Sequence, residues 1–153
     1  MMRDHGHALD RILELAVVLD EDMTAGLAAY GLTRSRAHVV WELRRRGPTT
    51  QRVLADVMGT SPRNITGLVD ALAATGFVTR EPHPTDRRAT LVTLTEHGAR
   101  VAEALARGHG ELARALFVDM PDERFDCLLA GLVDVLARLR AEQQRSGGRA
   151  REA

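Results

Sequence analysis

A chain of 153 residues with 44% hydrophobic but only 3% aromatic residues is the size of one domain, and its core must be built from Leu, Val and Ala, which favour packed helices over a broad sheet. No run approaches the roughly 18 consecutive apolar residues of a membrane span. Met1 to Asp10 holds charges and His where a secretory signal would hold an apolar centre, so a cytoplasmic location is expected. The zero formal charge hides a strong asymmetry: residues 1–33 carry net −4, residues 34–88 net +5 and residues 89–153 net −1, and every basic residue is Arg. An Arg-rich middle suits an anionic partner, although a solvated helix surface would read the same.

In chain order, Leu9, Ile12, Leu13, Ala16, Leu19, Met23 and Leu27 recur at helical spacing and predict a helix over Leu9 to Tyr30, stopped at Gly31. His5 and His7 fall in a terminus expected to be mobile. Thr33 N-caps a second helix to Arg46 with Val39, Val40 and Leu43 inward, ended by Gly47-Pro48. A third helix, Thr50 to Met58, breaks at Gly59. Ser61-Pro62 then opens a fourth, with Ser as N-cap and Pro in the first turn, which runs to Ala74 and stops at Gly76. Phe77 to Arg80 and Thr90 to Leu94 are β-branched and alternating, and the turn-forming residues between them, Glu81 to Asp86, make the pair a hairpin. Thr95 caps a fifth helix to Phe117, where Gly108 and Gly110 predict a kink. Pro121 opens a sixth, and the Gly- and Arg-rich tail from Gln144 is expected to fray.

The most informative stretch is Gln51 to Leu72. Ala55 supplies the small contact between two helices, Gly59 the left-handed turn residue, and Leu54, Val57, Ile65, Leu68 and Leu72 a small core. That burial leaves Ser61, Pro62, Arg63, Asn64, Thr66 and Gly67 outward at the start of the second helix, the end that enters a major groove in a helix-turn-helix. Arg63 can donate two bonds to guanine and Asn64 can pair with adenine, while Ser61 and Thr66 suit phosphate oxygens. Two ordinary packed helices with a polar exterior would share this spacing. The hairpin decides between them, because Asp86-Arg87-Arg88 at its tip occupies the place of a wing, where an Arg can enter a narrow minor groove. Asp86 is expected to orient a neighbouring guanidinium.

These pieces resemble the MarR family of winged-helix regulators: Leu32-Thr33, Leu54-Ala55 with Gly59, Ser61-Pro62-Arg63-Asn64-Ile65-Thr66, Leu72 with Gly76-Phe77-Val78-Thr79-Arg80, and Asp86-Arg87-Arg88 through Leu94-Thr95-Glu96-His97-Gly98. The resemblance implies a mostly α fold with a small β-hairpin wing, a winged helix-turn-helix over residues 32–95 for DNA binding, and helical dimerisation regions over 1–31 and 96–145, with 146–153 as a tail. It implies a homodimer on a palindromic operator of double-stranded DNA, and repression relieved by a small molecule or an oxidant. Arg80, Asp86, Arg87 and Arg88 are the wing's expected DNA-binding residues, with Arg88 in the minor groove and Asp86 holding it. Leu9, Leu13, Leu129, Leu132 and Leu136 are the expected dimer contacts, since apolar stripes of this length normally meet a partner.

No cofactor motif is legible. Cys127 is placed on the apolar side of the sixth helix as a buried, inert thiol, so thiol redox sensing is not expected. The His residues show no metal-ligand spacing. Tyr30, His38 and Trp41 are candidate walls of a small-molecule pocket, with Arg34 or Arg36 as counter-charge to an anion, although the same residues could be core and rim. Three other functions stay in view. An enzyme lacks a nucleophile or phosphate-loop signature here, a winged helix used for protein contact would lack salt-sensitive DNA affinity, and a metal sensor would bind metal.

Overall fold

The computed structural model describes residues 4–86 and 88–149. The elements are α1 (His5–Ala28), α2 (Arg34–Arg46), β1 (Thr49–Thr50), α3 (Gln51–Met58), α4 (Pro62–Ala74), β2 (Val78–Pro82), β3 (Thr90–Leu94), α5 (Glu96–Phe117) and α6 (Asp122–Arg149). The fold is mostly α with a small antiparallel sheet, in the expected order. The chain forms two compact units, one up to Ala106 and one from Arg107.

Local chemistry sets most of the boundaries. Thr33, Thr50 and Ser61 cap α2, α3 and α4, each side-chain oxygen accepting a backbone N–H of the first turn. Gly59 has φ +60° and Gly76 φ +79°, the left-handed region that admits glycine without penalty. At both, the next residue's N–H closes back on the helix: Thr60 on the Ala55 carbonyl at 3.1 Å and Phe77 on Leu72 at 2.9 Å.

The structure departs from the sequence expectations at several places. Asp4 caps α1 by accepting from the His7 N–H at 3.0 Å, so the helix starts at His5, four residues before the expected Leu9. Thr49 and Thr50 form a strand that pairs with Val92 and Leu91 of β3; two residues are too few for an alternation to show. The sheet order is β1-β3-β2, and β2, on the outer edge, runs on to Pro82, where a missing N–H is tolerated. α6 continues past Gln144 to Arg149; no Pro stops it, and an Arg145–Glu142 pair at 2.5 Å spans one turn. Arg87 and residues 150–153 of the expected tail lie outside the described residues.

In the first unit, Val39, Val40 and Leu43 of α2, Leu54 and Ala55 of α3, and Ile65, Val69 and Leu72 of α4 close over Phe77, Val78, Val92, Val101 and Ala102. Each fully buried Leu or Ile contributes about 2 kcal/mol, well above an exposed ion pair. Val69 takes the place expected for Leu68, which is half-buried, and Val57 is exposed: the buried stripe of α4 runs 65, 69, 72. In the second unit, Phe117 meets Phe125 edge to face at 5.5 Å. No described side chain of α6 is buried, and Cys127 is exposed, which corrects the expectation of a buried thiol.

Two polar arrangements, the first of them buried, carry folding information. Glu42 on α2 is buried and accepts from Arg46 Nε at 2.7 Å, with Arg45 and His38 at 3.8 Å; the Arg46 bond leads, against burial, in holding its carboxyl below the ordinary range. At the start of α5, Thr95 donates its N–H to the Phe77 carbonyl at 3.0 Å and its hydroxyl to Gly76 O at 2.6 Å, and accepts from the Gly98 N–H at 3.0 Å. Gly98 is packed so closely that a Cβ there would collide with the Phe77 carbonyl.

Gly98→Ala is therefore expected to destabilise the fold by about 1–3 kcal/mol, the usual range for overpacking, seen as a lowered midpoint in thermal unfolding. For Glu42, a depressed folded pKa means stability present in the ionised form and lost as the pH falls through that pKa. The gap in melting temperature between the parent and Glu42→Gln should be present at neutral pH, reflecting about 1–2 kcal/mol, and should close in acid below the ordinary glutamate range.

Candidate nucleic-acid interface

The phase of α4 decides what faces outward. With Ile65, Val69 and Leu72 fully buried, Ser61, Pro62, Arg63, Asn64, Thr66 and Gly67 are all exposed. Arg63 makes no hydrogen bond or ion pair among the described residues, so its planar fork is uncommitted. Asn64 donates one amide hydrogen to Thr60 Oγ1 at 2.8 Å, which leaves its second hydrogen and its carbonyl for a two-point contact. Ser61 Oγ accepts from the Asn64 N–H at 3.2 Å and keeps its own hydrogen for an anion. Thr66 differs from the expectation: its hydroxyl lies 3.0 Å from both Gln51 Oε1 and the Pro62 carbonyl. A single hydroxyl hydrogen is thus already in use, and Thr66 serves to tie α4 to α3. Nothing stands within 4 Å of a Cβ placed on Gly67.

The hairpin carries the second group. The N–H of His83 bonds the Ala89 carbonyl at 3.1 Å, and the N–H of Ala89 bonds the Asp86 carbonyl at 3.0 Å. Asp86 Oδ1 accepts from the Arg88 backbone N–H at 2.9 Å. Asp86 therefore shapes the chain beneath Arg88 and does not grip the guanidinium, as the sequence had suggested; a short carboxylate two residues upstream favours the backbone amide. His83 Nδ1 accepts from the N–H groups of Thr85 at 3.3 Å and Asp86 at 3.1 Å, a role open to the ring only while that nitrogen carries no proton. No sequence pattern marked His83 beyond its place in a turn. The Arg88 side chain is exposed and makes no ion pair among the described residues; Arg87 lies outside them. Arg80, on β2, is engaged: its Nη2 donates to Asp70 Oδ1 of α4 at 2.5 Å.

The basic excess of the middle segment thus divides into two groups. Arg34 pairs with Asp20, Arg45 and Arg46 with Glu42, Arg80 with Asp70, and Arg44 makes a two-pronged bond to Glu103 at 2.9 and 3.2 Å. Among the described residues the guanidinium groups of Arg36, Arg52, Arg63 and Arg88 make no ion pair, and those of Arg63 and Arg88 stand exposed at the start of α4 and at the hairpin tip.

The chain has counterparts among known proteins. Residues 32–90 match the MarR family. An HTH-type transcriptional regulator of Mycobacterium tuberculosis, MT0903.1, is 32% identical over 111 residues, 72% of this chain and 78% of that protein. The chain belongs to the MarR family of transcription regulators. An uncharacterised HTH-type regulator of Bacillus subtilis, YfiV, is 37% identical over 87 residues, and this MarR-family chain spans only 54% of its length. Streptococcus pneumoniae FabT, solved in complex with DNA, shares the fold with a TM-score of 0.75 at 18% identity, over 88% of this chain and 94% of that one.

Two open concavities indent the first unit of this MarR-family regulator, and Tyr30, His38 and Trp41 line neither. One, of about 250 Å³, lies among Leu43, Arg44, Pro48, Thr93, Leu94 and Ala102; the other lies along α1, by Leu13, Val17, Asp20 and Arg34. His38 stands exposed beside Glu42, Tyr30 is exposed, and the half-buried Trp41 has the Arg44 guanidinium 5.8 Å from its ring centre. Among the described residues no three His, Cys, Asp or Glu side chains gather as a metal site requires, and no helix is long and apolar enough to cross a membrane.

If Asp86 and His83 organise the hairpin tip as described, Asp86→Ala or His83→Ala should speed amide hydrogen exchange at Arg88 and Ala89 by about five- to tenfold, the loss of one hydrogen bond. Thermal unfolding should stay within the scatter of the parent.

Proposed function

We propose that this chain is a cytoplasmic, homodimeric repressor that binds a palindromic operator in double-stranded DNA, with α4 in the major groove and the β2–β3 hairpin as a wing in the minor groove. The observation that carries this reading is the pair of uncommitted guanidinium groups, Arg63 and Arg88, on elements whose remaining charged groups are largely paired within the chain. In the groove Arg63 and Asn64 read base edges, Ser61 meets phosphate, and Arg88 enters the minor groove, drawn by its negative potential.

Pairing of two copies is supported by the apolar side chains left open. Leu9 and Leu13 on α1 are 56% and 55% exposed, and Leu129, Leu132 and Leu136 on α6 are 51%, 37% and 48% exposed. Stripes of this kind are normally covered by a partner, and a two-fold axis would present two α4 helices to half-sites about 34–36 Å apart. Repression follows if the occupied operator overlaps a promoter. Release by a small molecule rests on family membership; the concavity of about 250 Å³ beside β3 is at the small end for such ligands.

The test is binding to duplex fragments selected from the source genome. The parent should favour a palindrome, with two chains per duplex by sedimentation and an affinity that falls steeply with salt. Arg63→Ala should relax base preference in the half-site core, at about 1–3 kcal/mol for the lost contact. Arg88→Ala should weaken binding most at A·T-rich flanks. Unchanged affinity and preference in both variants would remove the reading.

A further inference from the structure

Asp70 is out of keeping with the face on which it stands. Arg63, Gly67 and Asp70 follow one another on α4 at steps of four and three residues, so they share one outward stripe. A carboxylate there, 61% exposed, would by itself oppose an anionic partner. Its compensation comes from the hairpin through Arg80. β2 pairs with β3 so that Val78 lies opposite Leu94 and Arg80 opposite Val92. Residues opposite one another, and residues two apart along a strand, share a face. Val78 and Val92 are both buried, so Arg80 leaves the hairpin from its inner side, from the middle of the strand and not from the tip. From there it reaches across to α4 with a side chain only 33% exposed and meets Asp70.

We propose that Arg80 is a positioning residue and not a phosphate ligand. Held by Asp70, it fixes the hairpin against α4 so that Arg63 and Arg88 engage neighbouring grooves together, and it cancels the acid on the outward stripe. The alternative is that Asp70 holds the place of a phosphate and surrenders Arg80 when DNA arrives. The inner-face origin of Arg80 favours the first arrangement. The proposal rests on the DNA-binding reading above and adds the division of labour among its arginines.

The experiment measures affinity for the duplex that the parent selects, over a series of salt concentrations, for the parent, Asp70→Asn, Arg80→Met and the double variant. Met keeps the apolar stem without the charge, and the pair's exposure lets each variant fold, as a thermal melt would verify. If Arg80 positions, Asp70→Asn and Arg80→Met each weaken binding about fivefold or more, and the double variant binds no more weakly than the worse single one. The slope of log affinity against log salt in Arg80→Met then equals that in Asp70→Asn, since both variants free the hairpin alike. If Arg80 is instead a phosphate contact, Arg80→Met lowers that slope by about 0.9 and Asp70→Asn tightens binding; either result overturns the proposal, as do single variants indistinguishable from the parent. A parent with no salt-sensitive duplex affinity overturns the DNA reading itself, which separates the two failures.

Discussion

The rest of the structure hangs on the burial of one stripe of α4. Ile65, Val69 and Leu72 are fully buried against α2, α3 and the sheet, and a helix held along one side at steps of four and three has no rotational freedom left. The outward set, from Ser61 to Gly67, follows from that phase alone. Hydrogen bonds then refine it: Ser61 settles the first turn, and Thr66 reaches Gln51 of α3 at 3.0 Å.

The second constraint is the seam between α4, the hairpin and α5. The turn at Gly76 passes Phe77 into the core, Thr95 binds both the Gly76 and Phe77 carbonyls, and Gly98 lets α5 lie directly on the Phe77 backbone. Three elements thus converge on two residues. Together with β1, which pairs on the other side of β3, this seam ties both strands of the wing into the body of the first unit. The positions of Arg63 on α4 and of the hairpin that carries Arg88 are to that extent a property of the core.

Where residues act on their own neighbours in sequence, the fold was legible. Ser61-Pro62 announced the start of α4, Gly59 and Gly76 the turns, and the alternation in 90–94 the strand. The exposed chemistry of Arg63 and Asn64 followed from helical periodicity. What escaped was set by partners distant in the chain. Leu68 and Val69 are adjacent apolar residues, and only the packed core chooses between them. Arg80 looks like any wing arginine until Asp70, ten residues away, is seen beside it. β1 exists only because β3 offers it an edge.

Gly67 has a consequence for the relief of the outer face of α4. A glycine at the midpoint of α4 weakens that helix by about 1 kcal/mol relative to Ala, yet the position is open and no neighbour forbids a side chain. Its effect is on the profile of the outer surface. Between the long arm of Arg63 and the tethered Asp70 the rod is bare backbone, a shallow saddle where a ridge would otherwise rise. Even a single methyl group there would begin to fill that saddle.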